Sequence, residues 1–369
     1  MSLISKNQSL RPVIKDKLTK DRCSMDKHLT FNKTLLVKMG LAGVLATSAA
    51  ALVIGRIWKP DLQVSKLKHW ELPTSFYVDV EGLQVHVAKS ETSDNLAATN
   101  NCEAQSDAET LLLIHGTSAS LHTWDGWTEA LKEQYCVVRL DLPAFGLTGP
   151  YADDTKPYSL DNYVDTVIKV MDKLDIKRAT IAGNSLGGGI AWLTALMHPE
   201  RIDRLILVDA SGFKFTPKRM PIGFKLAQSP VLDGLTEHVL PKSMVRSSVQ
   251  SVYTDKSKVS DDLVNRYYEL SRRAGNRKAL TRRMREGLYQ DEVKRLGEIT
   301  QPTLIIWGAQ DELIPIESAY KFKAAIPNSQ LVVFDHLGHV PQEEDPKATV
   351  AVVKQFLRDT KSDYTKSFN

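Results

Sequence analysis

Thr180-Ile-Ala-Gly-Asn-Ser-Leu-Gly-Gly-Gly189 decides how the rest of this 369-residue chain is read. A short apolar run over 179–182 predicts a strand, and 186–197 predicts the helix that follows it, stopped by Pro199. Between them lies a Gly-x-Ser-x-Gly turn. In that geometry Ser185 sits on a strained elbow, its Oγ lifted clear of a sheet, above the positive end of a helix. Gly183 and Gly187 are needed because a Cβ at either place would strike the crossed strand and helix. The motif is short enough to arise in any Gly-rich turn before a helix, so its partners must be found elsewhere in the chain.

Outward from this turn, strands and helices alternate. A hairpin is expected over 75–89 around Glu81-Gly82, and a polar surface loop over 90–109. Strands follow at 110–114, 136–140, 179–182, 205–208, 303–307 and 330–334, with helices near 124–133, 161–174, 186–197, 317–325 and 348–358. Such alternation argues for a mostly parallel central sheet flanked by helices on both faces. The stretch 211–300 is helical, basic and broken by prolines. It follows the sixth strand, at the end of the sheet where ligands bind, and is placed to act as a lid. The organisation expected is a polar tail at 1–33, a membrane anchor at 34–58, a core at 70–210 and 301–360, a helical cap at 211–300 and a tail at 361–369.

Charge is unevenly spread. Residues 1–60 carry eleven Lys/Arg against three Asp/Glu, and 211–300 carry eighteen against ten, while the whole chain is only +4. Two basic segments on an acidic body point to an anionic surface, a membrane rather than nucleic acid, unless the second is simply a solvated helical face. Met39 to Gly55 contains no charge, is rich in Ala, Leu and Val, and is followed by Arg56, Trp58 and Lys59. It reads as an uncleaved single-pass signal anchor with the catalytic body outside the cytoplasm, on the periplasmic side in a bacterium. A buried soluble helix is the competing reading. Of the three cysteines, Cys102 and Cys136 can pair in an oxidising compartment; free thiols are the default expectation.

A nucleophilic serine needs a base, an orienting acid and oxyanion donors. In Val332-Val-Phe-Asp-His-Leu-Gly-His-Val-Pro341 a strand ends before two histidines, and His339, between Gly338 and Pro341, is the expected general base, with His336 its rival. In Leu304-Ile-Ile-Trp-Gly-Ala-Gln-Asp-Glu-Leu-Ile-Pro315, Asp311 is the expected acid. Asp209, at the end of an earlier strand, is the competing acid, and Glu312 should point away. The order Ser, Asp, His suits this architecture. The N–H groups of Leu186 and Thr117 are the expected oxyanion donors, and His115 is expected to brace the Thr117 loop.

The segments HGTSASLHTW, LDLPAFGLTGP, GNSLGGG, WGAQDELIP and GHVPQEEDP together resemble the α/β-hydrolase superfamily, over roughly 75–359 and in family order. The resemblance implies the α/β-hydrolase fold, a Ser185–Asp311–His339 triad and an oxyanion hole from Leu186 and Thr117. It also implies a structural Asp141, and shows Ala144 where the family usually has glycine. A serine nucleophile separates the chain from haloalkane dehalogenases and epoxide hydrolases. The elbow with a helical lid is similar to bacterial lipase/esterases, to monoacylglycerol lipases with an N-terminal anchor, and to carbon–carbon bond hydrolases of aromatic degradation.

The first expectation is therefore a membrane-tethered serine hydrolase of carboxylic esters, acylglycerols among them, with a small-molecule or lipid ester substrate and neither metal nor organic cofactor implied. Apolar cap residues Ile222, Phe224, Leu226, Val231, Leu232 and Leu235 either line an acyl pocket or form the lid's own core. The alternative, carbon–carbon cleavage of a vinylogous diketone, needs a carboxylate clamp, for which Arg272, Arg273, Arg282 and Arg283 are the candidates. A non-catalytic binding protein on the same fold is the third reading.

Overall fold

The computed structural model describes residues 58–91, 102, 108–286 and 291–361. Glu81 and Gly82 both adopt left-handed backbone angles (φ 54° and 83°), the mirror-type two-residue turn that matches strand twist. They join β1 (Ser75–Val80) to β2 (Leu83–Lys89). Then come β3 (Thr110–Ile114), β4 (Cys136–Leu140), β5 (Ala179–Asn184), β6 (Ile202–Val208), β7 (Thr303–Gly308) and β8 (Ser329–Phe334). The eight strands form one sheet in the order β1-β2-β4-β3-β5-β6-β7-β8. β1 and β2 pair antiparallel with each other, β2 pairs antiparallel with β4, and every other pairing is parallel.

The parallel strands are apolar on both faces because helices cover both. In β3, Leu112 and Ile114 join one core and Leu111 and Leu113 the other, following the alternation of a strand. The first core packs under α2 (Leu160–Lys173) and α3 (Leu186–Met197). The second packs under α1 (Asp125–Leu131) and α11 (Pro346–Asp359), joined by the bond from Trp127 Nε1 to Thr349 Oγ1, 2.9 Å. Asp345 caps α11 by accepting from Ala348 N, and Pro346 stands at its first turn, so this helix starts where the sequence permits it.

Between β6 and β7 the described chain is helical: α4 (Ile222–Ala227), α5 (Asp233–Thr236), α6 (Lys242–Gln250), α7 (Asp261–Ser271) and α8 (Asn276–Arg283). After β7 come α9 (Glu317–Ala325) and, after β8, the short α10 (Pro341–Glu344). Residues 59–70 strap onto this helical insertion. Leu62 pairs with Arg273, Lys59 N donates to His238 O, and Asp61 Oδ1 receives Arg277 Nη2 at 2.5 Å.

Two expectations change here. Cys102 and Cys136 are not free thiols but disulfide-bonded, with Cα atoms 4.7 Å apart. The antiparallel pairing of Lys89 with Val138 sets the end of β2 beside the start of β4, and Ser90 Oγ accepts from Val137 N, next to Cys136. The apolar run expected to span a membrane lies outside the described residues, apart from Trp58. Among those described, no helix is long and apolar enough to cross a membrane.

Candidate active site

β5 lies between β3 and β6 at the middle of the sheet and delivers Ser185 to its carboxyl edge. Ser185 has φ 56° and ψ −117°, a conformation costing a non-glycine residue about 1–3 kcal/mol, so its surroundings must hold it. They do so through Ser185 N to Val208 O (3.0 Å) and two donors to Ser185 O, from Gly189 N (3.0 Å) and Ser211 N (2.9 Å). A Cβ on Gly183 would sit 2.1 Å from Gly187 O, and one on Gly187 would sit 2.2 Å from Ile114 O. Only glycine permits this crossing.

Asp311 follows β7 and His339 follows β8. Asp311 Oδ2 lies 2.6 Å from His339 Nδ1, while Oδ1 accepts from Leu313 N (2.7 Å) and Ile314 N (3.0 Å). Both side chains are buried. This bond fixes the imidazole with its proton on Nδ1 and leaves Nε2 as the free base. His336 is exposed and has no part in it. Glu312 points away, toward Arg219. Asp209 is buried beside the pair rather than bonded to the imidazole; ligand atoms of Asp209, Asp311 and His339 lie within 4.8 Å of one another. Asp311 and His339 are bonded to each other, the arrangement that orients an imidazole.

Asn184, the residue before the serine, carries weight that the motif does not disclose. Its Nδ2 donates to Val208 O (3.1 Å) and to His339 O (3.0 Å), tying the nucleophile strand to the histidine loop. Among the described residues no hydrogen bond joins Ser185 Oγ to His339; such bonds often form fully only with substrate in place. Glu344 supports the same loop. Its Oε2 accepts from Gly338 N (2.9 Å), and its Oε1 accepts from Thr254 N (3.0 Å) and Asp255 N (2.7 Å) of the helical insertion.

Leu186 opens α3, and its N–H is one of the orphan donors at a helix start. Thr117 lies in the loop after β3, with Gly116 packed against Ser185 and Asn184. His115 braces this loop: Nδ1–H donates to Gly116 O (2.7 Å), and Nε2 accepts from Leu142 N (3.0 Å). Burial lowers its pKa, keeping it in the neutral form this pattern needs. Asp141 accepts from Leu121 N, Leu147 N and His86 Nδ1. Burial pushes its carboxyl up, but the neighbouring His86 and these donors win and bring it down to about 2.

Beside Thr117–Ala119 lies a cavity of about 150 Å³. Its walls come from that loop, from Ala144 and Phe145, and from the insertion, with Phe224, Leu226, Leu240 and Val245 among them. Ala144, at φ 79°, is one of the residues of this wall. The apolar insertion residues divide: Phe224 and Leu226 line the cavity, whereas Ile222, Val231 and Leu235 are exposed. None of the four expected clamp arginines lines it. Arg272 bonds Pro60 O, Arg273 bonds Ala274 O, Arg282 binds Asp154, and Arg283 packs over Tyr163.

A family model for the alpha/beta hydrolase fold matches residues 109–346. The 2-hydroxy-6-oxononadienedioate/2-hydroxy-6-oxononatrienedioate hydrolase of Cupriavidus pinatubonensis is 33% identical over 261 residues, 68% of this chain and 87% of its own. Among solved structures, the meta-cleavage product hydrolase CumD of Pseudomonas fluorescens is 28% identical, with a TM-score of 0.62 over 75% of this chain and 95% of its own. A bacterial membrane phospholipase A shares the fold at 23% identity, with a TM-score of 0.64 over 88% of this chain and 98% of its own. With a family model matched over 109–346, this chain belongs to the alpha/beta hydrolase fold family.

Proposed function

We propose that this hydrolase cleaves carboxylic esters with an apolar acyl group, acylglycerols among them, through an acyl-enzyme on Ser185. The observation that carries the choice is the cavity wall: it is predominantly apolar beside the Thr117 loop, it is reached by none of the four candidate clamp arginines, and the arginine that does line it, Arg277, is paired with Asp61. Ser185 Oγ attacks the ester carbonyl carbon as its proton passes to His339 Nε2, with Asp311 stabilising the imidazolium. The N–H groups of Leu186 and Thr117 receive the oxyanion, each worth roughly 3 kcal/mol in the transition state. Collapse expels the alcohol, protonated by His339. Water, deprotonated by the same imidazole, then releases the acid.

The disulfide supports a catalytic body in an oxidising compartment, and the uncharged run Met39 to Gly55 supports a tether. The basic insertion supports membrane contact less than its composition does, since Arg266, Arg277, Lys278, Arg282 and Arg285 are paired with Glu343, Asp61, Asp154 and Asp233.

Carbon–carbon cleavage is the second reading, favoured by the meta-cleavage relatives at 33% and 28% identity. One assay separates the two. Hydrolysis of p-nitrophenyl esters from C2 to C16 is compared with turnover of a 2-hydroxy-6-oxo-hexa-2,4-dienoate, with Ser185→Ala as control. A cavity of about 150 Å³ holds a group of benzene size, so the ester optimum is expected near about six carbons. Dienoate turnover without ester turnover would sink the ester reading.

A further inference from the structure

Asp209 is a buried carboxyl for which the triad has no use. It ends β6 at φ 43°, is wholly shielded from solvent, and its N–H donates to Ile306 O at 3.0 Å. Its Oδ1 accepts from Gly308 N at 3.1 Å. Its Oδ2 accepts from no donor among the described residues, and the Asp311 carboxylate stands beside it. Two carboxylate oxygens make no hydrogen bond unless one of them carries a proton.

The groups around it decide which one does. Asp311 from the β7 loop and Asp209 from β6 are two buried carboxyls beside the single imidazole of His339, and the buried Glu344 carboxyl of α10 is the further charge that Asp209 feels. Asp311 has two N–H donors and the imidazole, and Glu344 has three backbone N–H donors. Asp209 has one donor, so it is the least stabilised as an anion. Burial, and then the charge of Asp311, push its carboxyl well above the ordinary range.

We propose that Asp209 is a fourth, positioning member of the hydrolytic site, a neutral acid whose Oδ2–H donates to the Asp311 carboxylate and holds it against His339. The inference rests on the triad reading above. Its consequence is electrostatic. By taking up part of the Asp311 charge, Asp209 lowers the stabilisation of the imidazolium and keeps His339 a neutral base to lower pH.

Two substitutions separate a neutral donor from an ionised group. Asp209→Asn keeps a donor on one branch and the acceptor for Gly308 on the other. Its kcat/KM on a short p-nitrophenyl ester should stay within roughly threefold of wild type, with the acidic limb of the pH profile unmoved. Asp209→Leu removes the donor, and the acidic limb should rise by roughly half a pH unit or more as His339 becomes more basic. An acidic limb that falls in Asp209→Asn would mean that a negative charge had been removed, and would overturn the proposal. So would an unmoved profile in folded Asp209→Leu. Should Asp209→Leu not fold, the low-field Nδ1 proton of His339, read by NMR in wild type and Asp209→Asn, decides without turnover. Its persistence in Asp209→Asn supports the neutral donor, and its loss refutes it. Wild-type enzyme inactive on every ester would sink the ester reading alone and leave the NMR comparison standing.

Discussion

Replacing Asn184 by alanine tests whether the nucleophile and the base are held as one unit. Asn184 is buried, and both its amide protons are used, on Val208 O and His339 O. Deleting them removes two bonds of about 1 kcal/mol each and leaves the buried His339 carbonyl short of a donor, while Val208 O keeps the Ser185 N–H, for a total near 3 kcal/mol. The catalytic loss should be larger than the stability loss implies. The histidine loop keeps its ties to Val252 O and Glu344 but loses the one that refers it to the serine strand. A displacement of an ångström at that distance costs about 100-fold in rate. Urea unfolding at neutral pH and kcat/KM on p-nitrophenyl butyrate give both numbers. Asn184→Asp is the control, because it keeps the volume but sets oxygens against both carbonyls, and should be at least as damaging. A stability change under about 0.5 kcal/mol together with kcat/KM within about threefold would refute the linkage.

His122 is lowered to about 4, by burial first and the Arg266 charge second. Its folded pKa lies below the ordinary imidazole value of 6.5, so its stabilising effect is complete above pH 6.5 and is lost as pH falls to 4, by roughly 3 kcal/mol; His122→Gln should flatten that part of the urea-unfolding profile. The Cys102–Cys136 bond closes a separation of 34 residues, so Cys136→Ser should cost about 4 kcal/mol in denaturant unfolding, with reduced wild type matching the variant. Leu240→Trp, which fills the cavity, should shift the ester chain-length optimum toward C2 while leaving acetate turnover within about threefold. Asp61→Ala leaves the buried Arg277 guanidinium uncompensated and should destabilise the protein by about 1–3 kcal/mol, seen as a lower urea midpoint.

The parts of this molecule that local pattern determines were legible in its residues. Gly183 and Gly187 can be assigned from a steric argument alone, and the strands at 110–114 and 136–140 match β3 and β4 because short apolar runs between turn residues permit little else. Asp311 and His339 follow strands in positions the chain order makes adjacent, and they meet at 2.6 Å. What the pattern could not carry is contact between distant segments. The disulfide depends on the end of β2 meeting the start of β4, across an insertion with no periodicity. Asn184 occupies a variable place in its motif, so nothing local marks its bond to His339 O. The arginines at 272, 273, 282 and 283 form a cluster in sequence, yet helical geometry spreads them to four different partners.

The helical insertion is fastened to the catalytic machinery unevenly, and this constrains how substrate reaches Ser185. His339 N donates to Val252 O, and Glu344 holds Thr254 and Asp255, so the segment after α6 is bonded directly to the loop that carries the base. On its other side, α7 and α8 are held by the strap: Leu62 pairs with Arg273, and Asp61 neutralises Arg277 in the cavity wall. A route that lifted α6 to α8 away from the sheet would break bonds to His339 and Arg277 together, and would disarm the proposed base in the act of admitting a substrate. The α4–α5 stretch carries no such bond to the base. It also presents Ile222, Val231 and Leu235 to solvent while Phe224 and Leu226 face the cavity. Passage beneath α4 and α5 is therefore the route that leaves the Asp311–His339 geometry intact.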